Sequence, residues 1–73
     1  MSSIHSAAYR KFIRRLRAGR VLAGLTQKEA AAKLRKPQSW LSRCESGERR
    51  VDAIELHTFA QLYKLPITWF FED

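Results

Sequence analysis

The chain has 73 residues, a net charge of +7 and a single cysteine. One domain with a thin core is all that this length allows, burying about 60% of the surface the unfolded chain exposes. Cys44 cannot close an internal disulfide, and no apolar run nears the ~20 residues of a membrane span, so a reducing, cytoplasmic setting without a signal peptide is expected.

The first segment, residues 7–24, places Tyr9, Phe12, Ile13, Leu16 and Val21 at helical spacing with basic residues between them, and Gly24 is its natural stop. Thr26 then stands three residues before Glu29, the spacing of a capping box, and opens a second helix through Leu34. Ala30 and Ala31 carry no bulk, which lets another helix come close. The helix ends before Pro37, whose ring pushes Lys36 out of the α region.

Pro37 suits the first turn of a third helix, closed by Gly47. At about 100° per residue, Trp40, Leu41 and Cys44 share one side. Gln38, Ser39, Ser42, Arg43 and Ser46 fill an opposite arc of roughly 140°, so this helix has an apolar back and a front of hydrogen-bonding groups. Asp52 is expected to cap a fourth helix to about Lys64, with Ile54, Leu56, Phe59, Ala60, Leu62 and Tyr63 at helical spacing. Pro66 starts a last short turn. With no strand signal, the reading is all-α, one compact domain of five helices over residues 1–73.

Charge is unevenly spread. Thirteen of the fourteen Lys and Arg precede residue 51, against only Glu29, Glu45 and Glu48, a local net of +10. The remainder nets −3 and is aromatic. A basic body of this kind points to a polyanionic partner. Two helices joined by a three- or four-residue connection form a helix-turn-helix unit, here over about 26–46, whose second helix enters the DNA major groove. Gln, Ser and Arg on that helix are the side chains that base edges accept.

The pattern Arg20, Leu25-Thr26-Gln27, Ala31, Leu34, Gln38-Ser39, Leu41, Ser42, Glu45 and Gly47 resembles the lambda-repressor and Cro (Xre) family of helix-turn-helix proteins, over residues 12 to about 71. The resemblance implies a lambda-repressor-like fold and base contacts from Gln38, Ser39, Ser42 and Arg43. It implies a phosphate contact from Gln27, a buried ion pair between Arg20 and Glu45, and a backbone-following loop with Ser46, Gly47, Arg49 and Arg50. Lys28 is also placed to meet phosphate. Trp40 reads either as a base-stacking or phosphate contact or, at the edge of the apolar face, as packing. Three departures stand out. Arg35 occupies a position where the family often has glycine, so the turn is expected to take another shape. Pro37 replaces a capping serine. Gly19 stands where the first helix often has leucine, leaving space for Trp40 or the tail aromatics.

The implied job is sequence-specific regulation of transcription, as a repressor and homodimer on a two-fold operator in a bacterium or phage. The other reading is a protein-interaction module such as an antitoxin. Residues 66–73 are the candidate dimerisation segment, with Ile67 and Phe70 expected to pack inward and Trp69 or Phe71 at the interface; a longer chain that covers them is the competing reading. No catalytic residue, cofactor or metal is expected. His5 and His57 have no ligand partners nearby, and Cys44 reads as core. Membrane binding by the basic first helix is disfavoured because its apolar positions are needed to cover the other helices.

Overall fold

The computed structural model describes residues 6–72. Four α-helices follow in order: α1 (Ala7–Leu22), α2 (Gln27–Leu34), α3 (Gln38–Ser46) and α4 (Ala53–Tyr63). The expected fifth helix is instead a single 3-10 turn, Ile67–Phe71. Its bonds are of the tighter kind, Trp69 N–H to Pro66 O at 3.0 Å and Glu72 N–H to Trp69 O at 3.4 Å. Five residues after a proline are too few to build an α ladder, and side-chain packing holds the turn instead.

Local chemistry fixes each start. Ser6 accepts from Tyr9 N–H at 3.1 Å. Thr26 and Glu29 form the reciprocal capping box, at 2.9 and 3.1 Å. Asp52 and Glu55 repeat it at the start of α4. Pro37 sits in the N-cap position rather than inside α3, and provides no side-chain cap.

The stops share one device. Gly24, Arg35 and Lys64 all adopt left-handed backbone with φ of 76°, 59° and 59°. In each case the next amide reaches back five residues: Leu25 to Arg20, Lys36 to Ala31, Leu65 to Ala60, at 3.0–3.2 Å. This is the Schellman closure. The turn before α3 therefore keeps the shape that glycine would give. Arg35 carries the strain because the backbone bonds on both sides of it over-determine the conformation.

The core gathers Phe12 and Leu16 of α1, Ala30 and Ala31 of α2, Leu41 and Cys44 of α3, Phe59, Ala60 and Tyr63 of α4, and Phe70 of the 3-10 turn. The two alanines bring α2 against its neighbours without bulk. Val21 and Ile54, expected to face inward, are exposed. Each lies five residues from a core position, Leu16 and Phe59 respectively, which is about 140° around the helix.

In the tail, Phe70 is fully buried as expected, but Ile67 remains 40% exposed. Trp69 takes the inner place. The reason is Gly19, where an added Cβ would stand 3.2 Å from the Trp69 ring and 3.4 Å from Phe70. The tail aromatics thus fill the space left by the missing leucine, whereas Trp40 packs elsewhere. Arg15 clamps Trp69 from outside: its guanidinium lies 3.7 Å from the ring centroid and donates twice to Trp69 O, at 2.6 and 2.9 Å.

Candidate nucleic-acid interface

The α2–turn–α3 unit spans Gln27 to Ser46 with three connecting residues. Leu41 and Cys44 point into the core with no exposed surface, and this fixes the rotation of α3. Gln38, Ser39, Ser42 and Arg43 are all exposed on its outer side. Burial raises the Cys44 thiol above its ordinary pKa, consistent with a packing role.

Behind this face lies a polar lock. Arg20 of α1 donates from Nε to Glu45 Oε2 at 2.7 Å and from Nη2 to Glu45 Oε1 at 3.1 Å. Its Nη1 donates to Leu25 O at 2.9 Å. Gln27 Nε2 adds a bond to Glu45 Oε1 at 3.0 Å. The bidentate bond to Glu45 raises the Arg20 pKa, against the opposing effect of burial. One carboxylate on α3 thereby ties α1 to the start of α2, and Arg20 extends the lock to the Leu25 carbonyl. Gln27 uses its amide donor on this lock rather than holding it outward.

Trp40 is half-buried and stacks on Phe59, centroids 5.8 Å apart. Lys36 and Arg49 flank its ring at 5.2 and 5.1 Å. Packing is the role this geometry serves, with an exposed edge beside two cations. Gly47 closes α3 with φ of 84°, a conformation that favours glycine, and a Cβ there would also press on the terminal Cδ1 of Ile13 at 2.9 Å. Ser46 Oγ donates to Arg43 O at 3.2 Å.

In the following loop, Arg49 is turned toward α4. Its Nη1 and Nη2 donate to Glu55 Oε1 and Oε2 at 2.9 and 2.8 Å. This pair pushes the Glu55 pKa down and the Arg49 pKa up. Arg50 is exposed and lies over the Tyr9 ring at 4.8 Å, while Tyr9 Oη accepts from Val51 N–H at 2.9 Å. Lys28 is exposed on the first turn of α2.

The structure thus brings Gln38, Ser39, Ser42 and Arg43 to one face and sets Lys28 and Arg50 outside it, while Gln27 and Arg49 are engaged within the fold. Glu55 is the residue that sequence reasoning missed; the Asp52–Glu55 spacing, identical to Thr26–Glu29, was its signal. His57 is exposed on α4, and His5 and Asp73 lie outside the described residues. Among the described residues no cluster of three metal-ligating side chains occurs, and no helix is long and apolar enough to cross a membrane.

A family model described as a helix-turn-helix domain matches residues 11–68, most of the chain and the whole α2–turn–α3 unit. The chain belongs to the helix-turn-helix domain family. That assignment agrees with the resemblance to lambda repressor and Cro, and it makes DNA the partner this domain is suited to. Comparison with curated proteins and with solved structures gives no match. In such a unit α2 holds the place of the supporting helix and α3 the place that the recognition helix takes.

Proposed function

We propose that the protein is a sequence-specific, DNA-binding transcriptional repressor that acts as a homodimer on a two-fold operator, in the cytoplasm of a bacterium or in cells carrying a phage. The observation that carries this reading is the outer face of α3, with four exposed hydrogen-bonding side chains on a helix whose rotation is fixed by Leu41, Cys44 and the Glu45 lock. Arg43 suits guanine and Gln38 suits adenine, each in bidentate fashion, while Ser39 and Ser42 accept either base. Lys28, Arg50 and the exposed edge of Trp40 meet phosphates, and Ser46 and Gln27 border the same strand. Arg49 reaches a phosphate only by sharing its guanidinium with Glu55.

The dimer contact is assigned to the tail. Phe71 is 57% exposed and stacks on Phe12 at 5.7 Å. It borders an apolar groove with Ala8, Tyr9, Val51 and Leu56. Trp69 adds its outer edge. A two-fold dimer through this patch sets two copies of α3 about 34 Å apart, one turn of DNA.

Selection from a random duplex library tests the reading. A palindromic consensus is expected, bound with an affinity that falls steeply with salt. Failure to enrich any motif overturns it. The exposed Phe71 groove also suits a protein partner of the antitoxin kind. Binding to such a partner through this groove would persist at high salt and be lost in Phe71→Ser.

A further inference from the structure

Helix α1 carries six cations and no acid, and the fold uses them differently. Arg20 is buried in the Glu45 lock. Arg15 is bound to Trp69 O and lies 3.6 Å from Glu72. Of the other four, Lys11 is half-buried, and Arg10, Arg14 and Arg17 are exposed. At 100° per residue these three arginines fall within an arc of about 60°. Among the described residues, the side chains of Arg14 and Arg17 have no hydrogen bond or ion pair.

The position of this arc matters. Arg17 stands at the rim of an open polar basin of about 430 Å³ with Arg20, Gln27, Ser42, Glu45 and Ser46. Ser42 belongs to the outer face of α3. The Gly47 backbone packs on Ile13 of the same helix, and Arg50 lies over Tyr9. The loop leaving the recognition helix therefore runs along α1, on the side where the three arginines emerge.

We propose that this arginine edge of α1 is a second phosphate track, continuous with the recognition surface through Arg17 and reading no sequence. The inference rests on the DNA-binding reading above and extends its footprint to an element that reading leaves out. From Arg10 to Arg17 the helix advances about 10 Å. A DNA strand places a phosphate every ~3.4 Å of axis, so about three phosphates lie within reach of three guanidiniums. Guanidinium forks match phosphate oxygens in bidentate geometry. Arg17 comes to a phosphate at the rim of the basin beside Ser46. The Glu45 carboxylate at the floor does not repel it, because Arg20 and Gln27 occupy both its oxygens.

An anionic protein surface is the competing partner for such an edge. Continuity with α3 favours DNA, because anything long enough to follow α3 past Ser46 meets Arg17 next.

The test uses the whole chain and a duplex enriched by selection. Binding is measured from low to high salt for the parent and for Arg14→Gln, Arg17→Gln and the double variant, with far-UV circular dichroism to show that each is folded. Ethylation interference maps the phosphates. The slope of log affinity against log salt is expected to fall by about 0.9 for each phosphate released per protomer. Specific and random duplexes should weaken together, the consensus should not change, and interference should vanish at phosphates flanking the half-site. A double variant with the parental slope and interference pattern overturns the track while leaving the recognition helix in place. Loss of binding to polyglutamate with DNA binding intact overturns it in favour of a protein contact. A parent that binds no duplex specifically fails the underlying reading instead.

Discussion

Replacing Glu45 by glutamine tests whether the polar lock holds the recognition helix. The substitution keeps size and shape and removes one charge. Arg20 would remain buried, with its guanidinium facing a neutral amide in place of two carboxylate oxygens at 2.7 and 3.1 Å. Gln27 would lose its charged acceptor at 3.0 Å. Removing one partner of a buried pair commonly costs about 3–5 kcal/mol. An amide oxygen can still accept one bond, so the lower end, about 3 kcal/mol, applies. A domain this size has roughly 4–11 kcal/mol of stability in all. The melting temperature should therefore fall by about 10–25 °C, at 4–8 °C per kcal/mol. Thermal and urea denaturation, followed by circular dichroism, measure it. Removing both charges in Arg20→Met with Glu45→Leu should recover most of the loss, because no charge is then stranded. A Glu45→Gln protein with the parental melting curve would show that the Glu45 charge does not hold Arg20 or α3 in place.

Arg35→Gly and Lys64→Gly should each stabilise the domain by about 0.5–1 kcal/mol, since relief of left-handed strain of about 1–2 kcal/mol exceeds the entropy that glycine adds to the unfolded chain; urea midpoints report it. Among the described residues none bonds the buried Tyr63 hydroxyl, so Tyr63→Phe should raise stability by about 1 kcal/mol. Burial also raises the Tyr63 pKa above its ordinary value of 10.0. The parent should therefore lose stability as pH climbs past that value, and the phenylalanine variant should lose less; melting curves from pH 8 to 11 check both. Glu55 titrates below its ordinary 4.5 because Arg49 bonds its carboxylate. Its contribution is present above about pH 4.5 and disappears as pH falls through the lower folded value. Glu55→Gln should therefore flatten the acid limb of the stability curve while costing stability at neutral pH.

Much of this architecture was legible in the sequence because its signals are local. Thr26–Glu29 announces a helix start through a bond that spans three residues, and Gly24 and Gly47 announce stops. The rotation of α3 followed from the spacing of Trp40, Leu41 and Cys44 alone. The misses are tertiary. Arg35 was expected to avoid the left-handed region, because its side chain says nothing of the Lys36 amide that closes the helix on Ala31. Ile67 and Trp69 exchanged roles because the absent side chain of Gly19, forty-eight and fifty residues away in the chain, decides which tail residue fits. Arg49 reads as a phosphate ligand until α4 brings Glu55 beside it.

If the outer face of α3 reads bases, its side chains set the operator sequence. Random-library selection, run in parallel on the parent, Arg43→Ala and Gln38→Ala, measures this. Each variant is predicted to relax preference at one position per half-site and to lose about 1–3 kcal/mol on the parental consensus. If both variants enrich the parental consensus with unchanged affinity, α3 does not read the DNA.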